Sequence, residues 1–179
     1  MHDDWRTLGE EYLYRSPWCS FRVDSVLLPD GVEIEYGVLE SGGFAAVVPV
    51  TDGGDVVLVR QYRQPVGGAT LELPGGGVEV GDEPRETARR ELLEETGYRA
   101  EGLVCLGTVH TSPGRSTEVC HLFRCRAVRG ETGPRPEPTE FLRAVEVPMP
   151  EALRMVREGG ITVSTTALGL LWSGGGSEG

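Results

Sequence analysis

The sequence of 179 residues contains no lysine, so all 17 of its basic side chains are arginine, and 28 acidic residues outnumber them. The resulting formal net charge of −11 argues against binding to a nucleic-acid backbone, because such binding needs a basic surface. The arginines form no cluster in the sequence that could serve as a local basic patch. We therefore expect no nucleic-acid partner.

Cysteine pairs, membrane spans and targeting signals are also missing. The four cysteines form no CxxC pair and have no histidine at metal-ligand spacing, so reduced thiols are expected. No apolar run approaches the roughly 20 residues that span a bilayer. The first sixteen residues lack the basic and apolar regions of a signal peptide. These absences predict a cytoplasmic protein with no membrane partner.

Alternating apolar and polar residues predict β-hairpins in the first third of the chain. Residues 21–28 and 32–38 flank a Pro-Asp-Gly turn, and residues 44–50 and 56–61 form a second, more apolar pair, typical of strands buried on both faces. The pattern divides the chain into a hairpin appendage at 1–40, a main domain at 41–173 and a flexible tail at 174–179.

The most informative segment is a glycine loop, Pro74-Gly75-Gly76-Gly77, followed by an acidic helix. A helix is expected from Pro84 to Gly97, with Ala88, Leu92 and Leu93 facing the core. Helical spacing places three glutamates on one face, and Arg90 lies one turn before Glu94. A solvated acidic face is the common alternative, but a hard cation such as Mg²⁺ would reverse the repulsion. The three glutamates are Glu91, Glu94 and Glu95.

This segment resembles the Nudix box, whose pattern is G-x5-E-x7-R-E-U-x-E-E-x-G-U with U bulky and apolar. One position departs, because Asp82 stands where the pattern has glutamate. The resemblance implies an α/β fold, the Nudix α/β/α sandwich with a mixed β-sheet, here with the antiparallel β-hairpin appendage. It also implies attack of water on a nucleoside diphosphate linked to a group X. The matching residues are Gly76, Arg90, Glu91, Leu92, Glu94, Glu95, Gly97 and Tyr98.

Features outside the box are similar to the ADP-ribose pyrophosphatases. Pro113, sixteen residues after Gly97, lies in a loop of the kind found in that subfamily, and residues 59–65 and 71–74 are also similar. This implies cleavage of ADP-ribose to AMP and ribose 5-phosphate. The alternatives are an NDP-sugar hydrolase acting on GDP-mannose, another specialised nucleotide pyrophosphatase, and a Nudix-like regulator that binds ADP-ribose without cleaving it.

The resemblance also implies a metal shell and a catalytic base. The shell would be the Gly75 carbonyl oxygen, Glu91 and Glu95, with Glu94 in it or beside it and Arg90 orienting a carboxylate. The expected ion is Mg²⁺, with Mn²⁺ or another divalent cation as alternatives. The subfamily more often has alanine at the Gly75 position, and a main-chain ligand is expected to tolerate that change. The expected base is Glu140, with Glu137 as the alternative.

The remaining candidates contact the substrate, a small nucleoside diphosphate derivative. Arg63 matches a substrate-contacting arginine and could grip the diphosphate bidentately. Arg60, taken to alternate to the same face, is either a helper or part of a salt bridge. Glu118 and Pro113 lie in the same loop, and both are candidates for contact with the substrate. Glu118 either contacts the terminal ribose or is a surface acid.

Aromatic stacking is the natural device for holding adenine. Trp18, Phe21 and Tyr36 are the candidates, with packing in the core as the favoured role for Phe21. In the subfamily the N-terminal appendage is exchanged across a homodimer and completes the partner's site. The resemblance therefore implies a homodimer.

Overall fold

The computed structural model describes residues 4–79, 81–136 and 141–174, which form two compact units. One unit comprises Met1–Gly43 with His110–Val119, and the other comprises Phe44–Val109 with Cys120–Gly179. Residues 110–119, assigned to the main domain from the sequence, thus group by contacts with the N-terminal segment. The predicted tail at 174–179 lies outside the described residues except for Gly174.

The N-terminal unit contains a three-stranded antiparallel sheet in the order β1-β2-β3. The predicted hairpin is present as β2 and β3, and its turn uses Gly31 at φ 87°, a conformation that favours glycine. The first strand was not anticipated, because almost all of its side chains are exposed and it has no buried face to give an apolar period. The strands are β1 Arg6–Arg15, β2 Cys19–Leu27 and β3 Glu33–Ser41.

The second unit is built on a seven-stranded mixed sheet with the main order β10-β5-β4-β9-β8. β4 pairs in parallel with β9 and antiparallel with β5 and β7, while β6 pairs antiparallel with β5. This mixture agrees with the predicted fold class. The strands are β4 Phe44–Val50, β5 Asp55–Arg63, β6 Gly68–Glu72, β7 Gly75–Gly77, β8 Tyr98–His110, β9 Val119–Arg129 and β10 Leu142–Pro148.

Helices cover both faces of this sheet. Odd-numbered residues of β4 and β5, such as Val57, pack with Leu92 of α1, whereas even-numbered residues such as Leu58 pack with Leu170 of α3. Because side chains alternate along a strand, this parity assigns every β5 residue to one face. The predicted α/β/α sandwich is confirmed, and no helix in the described ranges is long and apolar enough to cross a membrane. The helices are α1 Pro84–Thr96, α2 Met149–Glu158 and α3 Ser164–Gly174.

The termini of α1 follow the local signals of the sequence. Pro84 lies in the first turn, and Gly97 adopts a left-handed conformation with φ 74° while its N–H donates to the Leu93 carbonyl at 2.9 Å. The expected core face needs one correction, because Leu92 is fully buried but Leu93 is 37% exposed. The sheet covers only part of the helix circumference.

Candidate active site

Two of the predicted carboxylates of α1 are buried against the predicted glycine loop, whose residues Gly75–Gly77 form strand β7. Glu91 and Glu95, one turn apart, are 8% and 2% exposed. Glu95 Oε2 accepts a hydrogen bond from the Gly75 N–H at 2.9 Å. A Cβ added to Gly76 would lie 2.4 Å from Glu91 Oε1, so glycine is required there for the carboxylate to lie against the backbone. The backbone of Gly75 and Gly76 therefore lies against two buried carboxylates of the helix.

Arg90 binds two of the three carboxylates of this face. Its Nη2 lies 2.8 Å from Glu91 Oε1 and its Nη1 lies 3.0 Å from Glu94 Oε2. Burial acts to lower the pKa of Arg90, but the charges of Glu91 and Glu94 outweigh it and raise that pKa. The arginine therefore stays cationic and orients both carboxylates. Of the three glutamates, Glu94 is the one that remains half-exposed to solvent.

The donor chemistry of this face fits a hard divalent cation. Glu91 and Glu95 offer only carboxylate oxygens, the ligands that Mg²⁺ prefers, and both carboxylates are buried beside the same backbone segment. Within the described residues, no group of three or more His, Cys, Asp or Glu side chains is arranged to hold a metal ion. A cation here would therefore need ligands beyond these side chains, such as main-chain oxygen, water or substrate.

The backbone around Gly75 explains why glycine stands where the subfamily more often has alanine. A Cβ at Gly75 would lie 2.3 Å from the Ala45 carbonyl oxygen and 2.8 Å from the Ala46 Cα. The reason is the close antiparallel pairing of β7 with β4, which brings main chain against main chain. Alanine would require the two strands to shift.

Both candidates for the catalytic base lie outside the described residues. Glu140 and Glu137 fall in the interval between residue 136 and residue 141. The next residue, Phe141, is exposed and precedes β10.

Arg63 is held by a buried carboxylate that the sequence analysis did not single out. Its Nε donates to Glu72 Oε1 at 2.9 Å and its Nη2 donates to Oε2 at 2.7 Å, in the two-pronged geometry that suits carboxylates. Thr70 Oγ1 and Gln61 Nε2 also donate to Glu72, at 2.5 and 3.3 Å. The signal available in the sequence was an acid between two leucines in the short apolar strand Leu71-Glu72-Leu73.

The charge of Glu72 is stabilised by this network. Burial alone would raise the pKa of Glu72, but the hydrogen bonds from Arg63 and Thr70 outweigh it and hold that pKa below its usual value. Arg63 has the odd parity of Val57, so it lies on the face of the sheet that carries α1. The arginine predicted for substrate is thus on the same side as the acidic helix.

Arg60 is not on that face, which corrects the expected alternation. Gln61 and Arg63 both reach Glu72, so the even-numbered Arg60 points to the opposite side. There it lies across from Leu71 of β6 and Arg143 of β10, and its side chain is exposed. An odd separation along a strand cannot place two side chains on one face.

Tyr36 lines a cavity in the N-terminal unit. Its hydroxyl donates to the Gly114 carbonyl at 2.7 Å, and its ring meets Trp5 edge-to-face with centroids 5.7 Å apart. The cavity has a volume of about 550 Å³ and is also lined by Phe21 and Arg115. Phe21 is 39% exposed there, so its expected role in the core is wrong.

The remaining substrate candidates also belong to the N-terminal unit. Pro113 lies two residues before Arg115, which is hydrogen-bonded to β3. The Leu39 N–H donates to the Arg115 carbonyl at 2.8 Å. Glu118 is held within this loop by the Thr111 hydroxyl, at 2.7 Å. Trp18, in the β1–β2 turn, is 82% exposed and does not line the Tyr36 cavity. Among the described candidates, one group thus lies on α1 and the seven-stranded sheet, and Tyr36, Pro113 and Glu118 lie at or beside this loop, whereas Trp18 does not line the cavity.

Comparison with known proteins adds two family matches. Residues 43–163 match the family described as NUDIX domain, and residues 5–39 match the nucleoside diphosphate sugar hydrolase N-terminal domain. The chain is 33% identical to the ADP-ribose pyrophosphatase of Bacillus subtilis, over 90% of this chain and 88% of that protein. It is 34% identical to the methanol dehydrogenase activator of Bacillus methanolicus, over 91% and 89%.

A solved structure shares the fold. The crystal structure of an ADP compounds hydrolase superposes with a TM-score of 0.82 at 19% sequence identity, covering 94% of this chain and 91% of that one. The family match, the relatives and the acidic helix over its glycine loop lead to one assignment. The chain belongs to the Nudix hydrolase family.

Proposed function

We propose that this hydrolase cleaves the diphosphate of a nucleoside diphosphate linked to X in a Mg²⁺-dependent reaction, with ADP-ribose as the substrate. The observation that carries the proposal is the pair of buried carboxylates, Glu91 and Glu95, held against the glycine loop. The choice of ADP-ribose draws on the relative with that named activity and on the Pro113 loop. The cysteines are thiols rather than disulfides, which supports a reducing, cytoplasmic setting.

The metal would be held by Glu91, Glu95 and the Gly75 carbonyl oxygen, with Glu94 at the edge, and Mn²⁺ is the alternative ion. When bound, such an ion offsets the charge of the diphosphate and favours ionisation of a bound water. Arg90 keeps the carboxylates in place.

In the proposed reaction, one water is added across the diphosphate. Arg63 binds the diphosphate and Glu140 accepts a proton from the attacking water. Attack forms a new P–O bond while the bond to the bridging oxygen breaks, so ADP-ribose and water give AMP and ribose 5-phosphate. Arg60, on the other face of the sheet, has no part in this step.

We assign contact with the adenine to Tyr36 and Trp18 and contact with the terminal ribose to Glu118. Tyr36 and its cavity supply an aromatic surface for adenine, and Trp18 offers a second, exposed ring. Glu118 in the Pro113 loop would accept hydrogen bonds from the terminal ribose.

The protein is proposed to be a homodimer formed through its N-terminal unit. Large apolar side chains are exposed there, which is unusual for a surface that stays in water. Leu13→Arg is expected to convert a dimer to a monomer in sedimentation velocity at micromolar concentration. The matched control is Val104→Arg, an exposed apolar residue of the other unit, and a monomeric wild-type protein would contradict the proposal. The exposed side chains are Trp5, Leu8, Leu13, Tyr14 and Trp18.

The substrate is tested by measuring product formation from ADP-ribose, ADP-glucose, GDP-mannose, NADH and dATP, with Mg²⁺ and with EDTA. Released phosphomonoesters are detected with a coupled phosphatase. We expect cleavage that depends on Mg²⁺ and is fastest with ADP-ribose. Cleavage that persists in EDTA would contradict the metal assignment.

An NDP-sugar substrate is the second candidate, because residues 5–39 match the N-terminal domain of nucleoside diphosphate sugar hydrolases. Fastest cleavage of GDP-mannose would keep the reaction type and replace ADP-ribose. Tight binding of ADP-ribose without turnover would instead favour a sensor. The same substrate panel therefore separates the three alternatives.

A further inference from the structure

We propose that Glu72 is a positioning residue that fixes the Arg63 guanidinium for the substrate diphosphate. This proposal rests on the proposed function, because it takes Arg63 as the diphosphate contact. Glu72 does not touch the substrate in this scheme and acts only through Arg63.

The geometry constrains Arg63 strongly. A guanidinium on a flexible side chain loses rotamer freedom when it binds an anion, and prior orientation reduces that loss. Here two bonds to both oxygens of Glu72 set the plane of the guanidinium. Because Glu72 is buried and also accepts from Thr70 and Gln61, its carboxylate has little freedom to rotate.

The arginine is nevertheless partly exposed to solvent. Its side chain is 47% exposed, whereas the Glu72 side chain is 11% exposed. A buried anchor with a solvent-facing cation is the arrangement expected when the cation must meet an incoming anion. A partly exposed ion pair adds little to folding stability by itself, so stability alone is a poor reason to bury this acid.

The position of Glu72 in the chain adds a link to the acidic helix. Three residues after Glu72, the Gly75 N–H binds Glu95, and between them the Leu73 N–H binds Thr166 Oγ1 at 3.0 Å. The hydrogen bonds at Leu73 and Gly75 fix the short segment from residue 72 to residue 75. They therefore fix the position of Glu72 relative to the backbone beside Glu91 and Glu95.

A double-mutant cycle on kcat/KM tests the proposal. Arg63→Ala is expected to lower kcat/KM by roughly 10- to 100-fold, the range for loss of a charge-assisted contact. Glu72→Gln, which keeps the volume but loses the charge, is expected to cause about a 10-fold loss, mostly in KM. In the Arg63→Ala background it is expected to cause no further loss, because an anchor has no effect without its arginine.

The matched control is Asp52→Asn, which breaks an equally two-pronged pair with Arg126 in an exposed turn, and it is expected to leave kcat/KM unchanged. Equal losses from Glu72→Gln with and without Arg63 would overturn the proposal, as would wild-type kinetics for Glu72→Gln. Melting temperatures recorded for each variant separate a loss of fold from a loss of positioning.

A second measurement does not depend on turnover. In ¹⁵N-labelled protein, the Nε–H signal of Arg63, identified by its absence in Arg63→Ala, is expected to be protected from exchange and to lose protection in Glu72→Gln. An unchanged signal would overturn the proposal. If the wild-type protein cleaves no compound of the panel, the proposed function fails, and Glu72 as the anchor of Arg63 is then judged by this signal alone.

Discussion

Glu95→Gln is expected to lower kcat/KM for the cleaved nucleotide by roughly 10³-fold or more, equivalent to about 4 kcal/mol of transition-state stabilisation. The variant keeps the side-chain shape and an oxygen that can accept the Gly75 N–H, so the fold is expected to survive. It removes one of two buried negative charges beside the glycine loop. Steady-state kinetics at saturating Mg²⁺ measure the effect.

The control for this prediction is Glu86→Gln on the same helix. Glu86 lies in the first turn, is exposed, and forms only a surface ion pair with Arg89. Its loss is expected to leave kcat/KM within about twofold, because exposed pairs contribute little. Near-normal turnover of Glu95→Gln would show that the acidic helix is not the catalytic face.

Leu92→Ala is expected to destabilise the protein by about 3 kcal/mol, within the range for deleting a buried leucine. Leu92 is fully buried and packs with Ala88 and Val57 in the cluster that attaches α1 to the sheet. For a chain of this size the loss corresponds to a fall in Tm of roughly 6 to 12 °C. Urea unfolding followed by circular dichroism gives the free energy directly.

The adjacent Leu93→Ala provides the matched comparison. It removes the same atoms from the same helix, but Leu93 is 37% exposed, so a loss of about 1 kcal/mol is expected. Equal losses from the two variants would mean that α1 is not attached to the sheet through its Leu92 face.

The acidic helix and the hairpin of β2 and β3 were predictable because their signals are local. Pro84 and Gly97 mark the helix ends by backbone preferences that neighbouring residues alone determine. The alternation of residues 32–38 revealed β3 in the same way. β1 was missed because its exposed side chains carry no such alternation.

The site residues were only partly predictable, because some of their contacts join segments that are distant in the sequence. The spacing of Glu91 and Glu95 on one helix places them on one face, and it could be read directly. No local pattern could show that Glu72 receives four hydrogen bonds from three side chains, since its partners come from β5 as well as β6. The face of Arg60, by contrast, follows from strand parity alone, because Arg60 and Arg63 are three residues apart on one regular strand.

The sequence by itself determined the family, the reaction type and the carboxylate pair, because their signals lie in 23 consecutive residues, Gly76 to Tyr98. Within them, helical periodicity alone places Glu91 and Glu95 on one face of α1. The tertiary structure alone decided that Arg63 shares the α1 side of the sheet, that Glu72 anchors it, and that Gly75 has no room for a methyl group. Those features depend on the register of β5 against β6 and of β4 against β7. Register is a contact between segments distant in the chain, and only the packed sheet specifies it.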